Sequence, residues 1–121
     1  MESSEALRAF ARHLNDPCLK STARILIIVS LGINRKLGFL DILQLTGLGK
    51  GSVSNHLEKL EDAGYIRTKR ILTFNGHRVV AEITEKGMEV YNSYLETMDS
   101  LIEHASKAQH EIGGGESGLF E

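Results

Sequence analysis

The dipeptide Asn75-Gly76 separates two runs of residues in which apolar and polar side chains alternate. The runs, residues 65–73 and 79–84, are rich in the β-branched side chains that favour strands. Asn-Gly between two strands predicts a two-residue hairpin loop in a type I′ turn, because both central residues of that turn need positive φ. A chain with this signal is expected to fold around a β-hairpin.

The two-residue loop also predicts the register of the hairpin. It places Leu72 opposite Val79 and Lys69 opposite Glu82, where an ordinary cross-strand ion pair is expected. Because side chains alternate between the faces of a strand, one face of the hairpin is then mainly apolar and should pack on helices. That face carries Ile66, Thr68, Arg70, Leu72, Val79, Ala81 and Ile83.

Apolar residues at helical spacing predict helices on both sides of the hairpin. The predicted segments are residues 5–14, 24–31, 39–46 and 49–63, and a long helix from residue 85. Glycines are expected to end three of them, at Gly32, Gly47 and Gly64. Asn15 or Asp16 is a candidate N-cap before Pro17, and Thr84 is the candidate N-cap of the last helix, with Gly87 third in that helix. Residues 33–37 are expected to form a basic connector. The predicted fold class is α+β, mostly α.

The formal net charge of −2 conceals a strong segregation of charge along the chain. Residues 17–80 contain ten basic and four acidic residues, whereas residues 81–121 contain two lysines and nine acidic residues. Residues 1–16 are slightly acidic, with a net charge of −1. A basic middle between acidic ends favours one surface that binds phosphate and another surface with a different role.

The predicted helices 39–46 and 49–63 are joined by a short turn, Thr46–Gly49, as in a helix-turn-helix. In that motif the later helix enters the DNA major groove, and the hairpin at about residues 66–83 would form a wing on the phosphates or the minor groove. One side of the later helix combines short hydrogen-bonding groups with cations, which suit base edges and phosphates. The candidate DNA contacts are Lys50, Gly51, Ser52, Asn55, His56 and Lys59 on this helix, and Arg70, Asn75, His77 and Arg78 on the wing.

The last helix carries an apolar seam whose residues lie three and four positions apart. Such a seam is typical of a helix that packs on a partner helix, and the winged helix is too small to cover all of it. We therefore predict a homodimer with four segments: a supporting helix at 1–16, a DNA-binding domain at 17–84, a dimerisation helix at 85–110 and a flexible tail at 111–121. The expected dimer contacts are Phe10, Met88, Tyr91, Tyr94, Leu95, Met98, Leu101 and Ile102.

Two phrases in the sequence carry a resemblance to a known group of proteins. They are Ser-x-His-Leu-x-x-Leu-Glu-x-Ala-Gly-Tyr-Ile, which begins at Ser54, and Ile-Thr-Glu-Lys-Gly, which begins at Ile83. With the rest of residues 17–94 they resemble prokaryotic, particularly archaeal, winged helix-turn-helix transcriptional regulators related to the MarR-like and ArsR-like families. The resemblance implies DNA-binding regulation and a dimer formed through the terminal helices. The Cys-x-Cys metal motif of the ArsR-like proteins is missing from this sequence.

Two other functions are compatible with the same residues. An architectural DNA-binding protein of low sequence specificity would use the same cations on any duplex, and a winged-helix interaction module would bind proteins instead. Ser52, Asn55 and Lys59 would then be a solvated helix face, and Arg70 and Arg78 would protect an edge strand from aggregation. The basic wing and the absence of acids from the groove-facing side of the later helix favour sequence-specific binding of double-stranded DNA.

The sequence contains no pattern that predicts an enzyme, a metal centre or a cofactor. The glycine-rich stretch 47–51 lacks the register of a phosphate-binding loop, and His104 and His110 are not spaced to share a helix face. Cys18 is the only cysteine, and the polar N-terminus has no signal-peptide pattern. The longest apolar run, Ile25–Val29, is too short to span a membrane. We therefore expect a cytoplasmic protein, with a small-molecule effector left open and no pattern that indicates one.

Overall fold

The structure is a computed structural model that describes the backbone of residues 3–116 and the side chains of residues 5–109. The five helices of this part of the chain are α1 (Ser3–His13), α2 (Thr22–Asn34), α3 (Phe39–Thr46), α4 (Lys50–Asp62) and α5 (Glu85–Glu116). The three strands are β1 (Lys36–Gly38), β2 (Ile66–Thr73) and β3 (Gly76–Ile83), and a single 3₁₀ turn covers Pro17–Leu19. The predicted class, a mostly helical winged helix with a long last helix, is confirmed.

The sheet is antiparallel with the strand order β1-β3-β2. Its first strand was not predicted, because residues 33–37 were interpreted as a connector. Leu37 pairs with Ala81, so the end of this segment covers the edge of β3 that the hairpin leaves open. A strand of three residues is too short to show the alternation from which strands are recognised.

The predicted register of the hairpin is wrong, although the predicted faces are right. The turn lies at Phe74 and Asn75, and Leu72 pairs with His77 instead of Val79. Positive φ within the turn falls on Gly76, at 104°, and not on Asn75, which rules out the type I′ turn. The Thr73 hydroxyl holds the observed turn by donating to the Gly76 carbonyl at 2.8 Å. Because β3 is shifted by an even number of residues, every side chain keeps its predicted face.

The predicted end of α2 at Gly32 is also wrong. The helix continues to Asn34, and Arg35 ends it with a φ of 70°. Gly32 instead lies buried against α5, where an added Cβ would fall 2.6 Å from Cδ2 of Tyr91 and closer still to Cγ and Cδ1 of the same ring. Gly32 is therefore required because α2 and α5 approach closely at this point, and it does not end α2.

The two other glycines predicted to end helices, Gly47 and Gly64, do so. Gly47 and Gly64 follow α3 and α4 with φ values of 70° and 87°. The Thr84 hydroxyl accepts a hydrogen bond from the backbone N–H of Gly87 at 3.2 Å, so it caps α5 as expected. Asp16 caps the 3₁₀ turn by accepting from the N–H of Cys18 at 2.9 Å.

The long helix α5 lies against α1 of the same chain. The ring of Phe10 meets the edge of Tyr94 at 5.7 Å between centroids, and the Thr97 hydroxyl lies 3.0 Å from the Ala6 carbonyl. The helix extends to Glu116, beyond the predicted limit at residue 110, and residues 117–121 of the predicted tail lie outside the described residues. A search of the described helices finds none long and apolar enough to cross a membrane.

Candidate nucleic-acid interface

Helix α4 has one buried face and one exposed face. Val53, Leu57 and Leu60 are at most 4% exposed and belong to the core, as their spacing predicts. Asn55 and Lys59 lie on the opposite side with their side chains in solvent. The core therefore fixes the rotation of α4 about its axis, and this rotation decides which polar groups face outwards.

The N-terminal end of α4 is open to an approaching anion. Its N-cap, Gly49, has no side chain to bond the free N–H groups of the first turn. Neither Gly49 nor Gly51 has another group within 4 Å of where a Cβ would be, so the space in front of both is empty. Lys50 and Ser52 are exposed beside them. Backbone donors, a cation and free space together suit a phosphate group.

The start of α4 and the wing line one groove of about 750 Å³. Lys50 lies on the helical wall, and Asn75, His77 and Arg78 lie on the wing wall. Residues that are more than twenty positions apart in the sequence are thus brought to one concave surface. The groove also contains Asp41, whose carboxylate accepts from the N–H of Gly38 at 3.2 Å and so caps the start of α3.

The cations of the wing divide into two groups. Near its base, Arg67 and Lys69 lie 3.8 and 3.7 Å from the carboxylate of Glu82. Lys69 thus forms the expected ion pair, although it faces Val80 in the observed register. Towards the tip, Arg70 and Arg78 are exposed and form no ion pair within residues 5–109. The tip cations are the ones free to bind phosphate.

His56 lies at the flank of the exposed face of α4 and is half-buried. Its Nδ1 accepts a hydrogen bond from Nε of Arg24 at 3.1 Å, and Nη1 of Arg24 donates to the Cys18 carbonyl at 2.9 Å. Burial lowers the pKa of His56, and the charges of Arg24 and Lys59 lower it further. The bond to Nδ1 requires the neutral ring, which leaves the Nε2–H as the donor for a ligand.

The C-terminal end of α4 is fixed by contacts with three other segments. The Tyr65 hydroxyl donates to the carboxylate of Asp16, and this bond lowers the pKa of Asp16. The ammonium group of Lys86 donates to the Ala63 carbonyl at 2.6 Å and lies 4.6 Å from the centre of the Tyr65 ring. These contacts connect α4 with the hairpin and α5, so the helix and the wing are held in one orientation.

Two residues of this surface were not singled out from the sequence. Gln44, on α3, lines the groove between Lys50 and the wing, and its exposed position on a short amphipathic helix is the only signal that could have indicated it. Arg24 was counted as a basic residue without a role. Its hydrogen bond to His56 joins residues that are 32 positions apart, and no local pattern predicts such a contact.

The residues predicted to form a dimer divide into a group that packs within the chain and a group that stays exposed. Phe10, Tyr94, Met88 and Tyr91 pack within their own chain. Leu95, Met98, Leu101 and Ile102 remain between 37% and 62% exposed. Val90, Ser93 and Thr97 are buried instead, and the Thr97 hydroxyl donates to the Ala6 carbonyl of α1. The described part of the chain therefore covers the outer half of the seam only in part.

No group of three His, Cys, Asp or Glu side chains in the searched part of the chain is arranged to hold a metal ion.

The comparison with family models gives a match to a family described as a winged helix DNA-binding domain, over residues 23–102. This match covers more than half of the chain and includes α2 to α4, the wing and most of α5. The chain belongs to the winged helix DNA-binding domain family.

The solved structures that are similar to this winged helix protein include transcriptional regulators. A transcriptional regulator homologue from Pyrococcus horikoshii is 27% identical, with a TM-score of 0.65 over 84% of this chain and 97% of that one. The regulator Tm0710 from Thermotoga maritima is 21% identical, with a TM-score of 0.62 over 96% of this chain and 78% of that one, which shows the fold. A MarR protein from Peptoclostridium difficile has the same fold, at 18% identity and a TM-score of 0.62 over 85% of this chain and 63% of that one.

A curated relative, the uncharacterized protein MJ0432 from Methanocaldococcus jannaschii, is 31% identical over 48 residues. The match covers 40% of this chain and spans about half the length of that relative. The family match and the Pyrococcus horikoshii structure support a DNA-binding transcription regulator.

Proposed function

We propose that the protein is a dimeric transcriptional regulator that binds double-stranded DNA sequence-specifically. The observation that supports this most strongly is the groove in which Lys50, at the start of α4, faces Asn75, His77 and Arg78 of the wing. In the proposed complex α4 enters the major groove, and the wing contacts phosphates and the neighbouring minor groove. Phosphate contacts supply most of the affinity, and α4 supplies the base preference.

Asn55 is the proposed base-reading residue of α4. Its side chain is exposed in the middle of the outer face, and an asparagine amide can bond adenine at two positions. Ser52 and Lys59 flank it on the same face and suit a base edge or a phosphate. Because the wing cations contact any duplex equally well, specificity rests on this short row of side chains.

Asn55→Ala is expected to relax the base preference of the protein. Loss of one two-bond contact costs about 1–3 kcal/mol of discrimination at one base pair, and non-specific binding should hardly change. The measurement is the ratio of affinities for a selected duplex and a scrambled duplex. Asn92→Ala, the same change at an exposed position of α5, is the matched control and should leave the ratio unchanged. Equal weakening of both duplexes by Asn55→Ala would contradict the proposed role.

The proposed dimer forms through the outer half of the α5 seam. Leu95, Met98 and Ile102 recur at the spacing of a helix–helix seam and are exposed, whereas α1 covers the neighbouring face of the same helix. A second copy of the chain presents an identical apolar strip, which makes a two-fold contact the simplest way to cover both. Two recognition helices would then lie roughly 34 Å apart, one turn of DNA.

Replacing Met98 and Ile102 together by aspartate is expected to give a folded monomer. Both side chains are exposed within the chain, so the charges interrupt the seam without entering the described core. Sedimentation would give the mass, and circular dichroism would verify the helices. Asn92→Asp adds a charge to another exposed position of α5 and should leave the dimer intact. A wild-type protein that sediments as a monomer at all concentrations would contradict the proposed assembly.

A further inference from the structure

The tip of the wing is apolar and exposed. Phe74 is fully exposed at the turn, and Leu72 is 77% exposed beside it. Leaving an aromatic ring fully exposed to water forgoes the free energy that its burial would give. A polar residue at this position of the turn would avoid that loss. The described part of the chain has no group that covers this ring, so its surroundings indicate a ligand outside the chain.

The charge around the tip indicates which kind of ligand this is. His77 pairs with Leu72 across the hairpin, Arg70 and Arg78 are exposed close by in the strands, and residues 70–81 contain no acidic residue. His77 and Arg78 also line the groove that Lys50 borders on the other side. An apolar tip with two exposed arginines close by complements a polyanion with an apolar interior, which describes the stacked bases of a duplex between two rows of phosphates.

The tip is also held in a fixed shape. The Thr73 hydroxyl lies 2.8 Å from the Gly76 carbonyl and 3.3 Å from the N–H of Asn75. The two strands pair without interruption from Ile66 opposite Ile83 to Thr73 opposite Gly76. Because the tip is already ordered, it loses little conformational entropy when its ring packs against a base step.

We infer that Phe74 is a wedge that enters the minor groove beside the α4 contact and partly unstacks one base step. This inference rests on the proposed DNA-binding function and adds to it a specific residue and a deformation of the DNA. Side chains that insert in this way kink the duplex toward the major groove. Pyrimidine–purine steps such as TA and CA open most easily, so the wedge gives a preference for them at a position that α4 does not contact.

The test compares wild-type protein with Phe74→Ser and Phe74→Trp on duplexes in which 2-aminopurine replaces adenine at successive positions. Wild type and Phe74→Trp should raise the fluorescence at one step beyond the α4 site, because the probe brightens when it is unstacked. Phe74→Ser should lose that signal and bind about tenfold more weakly, since one base–aromatic contact is lost. Its salt dependence should match that of wild type, because no phosphate contact is removed.

Control measurements separate the inference from the function on which it rests. Ile33→Ser, which also replaces an exposed apolar side chain but on α2, should leave the fluorescence unchanged. If wild type binds and Phe74→Ser gives the same fluorescence signal and the same affinity, the wedge is overturned and the proposed function stays intact. Weaker binding by Phe74→Ser without any unstacking in wild type would also overturn it. Failure of wild type to bind any duplex would overturn both the wedge and the proposed function. A change in oligomeric state with Phe74→Ser would overturn the wedge as well, because the tip would then contact a second copy of the chain.

Discussion

Gly87→Ala is expected to destabilise the folded protein by about 3 kcal/mol, at the upper end of the range for overpacking. An added Cβ would meet the backbone carbonyl of Tyr65 and would lie 2.6 Å from Cγ1 of Ile83. The Tyr65 carbonyl cannot move freely, because it accepts the N–H of Thr84 at 3.1 Å where the hairpin joins α5. The substitution should therefore separate the wing from α5. The measurement is the free energy of unfolding in urea.

Gly51→Ala is the matched control for this prediction. Gly51 is also a helical glycine, but no atom lies within 4 Å of where its Cβ would be. Alanine in an exposed helix is more favourable than glycine by up to about 1 kcal/mol, so this variant should unfold at a slightly higher urea concentration. If Gly87→Ala were as stable as Gly51→Ala, the close approach of α5 to the end of the hairpin would be wrong.

Reversing the two tip cations of the wing, Arg70→Glu with Arg78→Glu, is expected to weaken DNA binding about a hundredfold or more at low salt. Both side chains are exposed and without an ion-pair partner among the described residues, so each is free to neutralise a phosphate. The loss should be the same for selected and random duplexes. The slope of log affinity against log salt should fall by about two, one for each contact. Fluorescence anisotropy at several salt concentrations measures both quantities.

The matched control reverses two cations at the base of the same hairpin, Arg67→Glu with Lys69→Glu. The change in net charge is identical, but these cations already lie 3.8 and 3.7 Å from the carboxylate of Glu82. We expect a smaller loss of affinity and a smaller change in the salt slope. Equal losses for the two double variants would mean that only the overall charge matters, and would contradict a contact by the wing tip.

The parts of the fold that depend on local patterns are predictable from the sequence. Helix α4 follows from the spacing of Val53, Leu57 and Leu60, and its end follows from Gly64. The faces of the hairpin follow from alternation alone, because a shift by two residues leaves them unchanged. The predicted register was wrong because the Thr73 hydroxyl, just before the turn, bonds the backbone of Asn75 and Gly76. The observed turn therefore lies one residue closer to the N-terminus than the predicted turn.

The parts that depend on contacts between distant segments were not predictable. Gly32 was expected to end a helix, whereas it leaves room for Tyr91, a residue 59 positions away. Strand β1 exists because β3 offers it an open edge. The seam of α5 was predicted from its period, but the period does not indicate where the core of the chain ends and the free surface begins. In the structure that limit lies between Tyr91 and Leu95.

The candidate site shows the same division. The residues of the outer face of α4 and of the wing tip follow from helical and strand periodicity once a helix-turn-helix is recognised. The convergence of Lys50 and the wing residues Asn75, His77 and Arg78 on one groove with Gln44 depends on the packing of α3 against the sheet, and Ser52, Asn55, Lys59 and Arg70 do not line that groove. The role of Arg24 depends on a hydrogen bond to His56 that only the tertiary structure provides.

Selection of the full chain on a pool of random duplexes at two salt concentrations, followed by sequencing of the retained DNA, tests the central claim most directly. We predict enrichment of a two-fold symmetric motif with half-sites about one helical turn apart, and stronger enrichment at the higher salt concentration, where non-specific binding is weaker. Retention without enrichment would contradict sequence-specific regulation and favour an architectural DNA-binding protein. No retention even at low salt would contradict DNA binding itself.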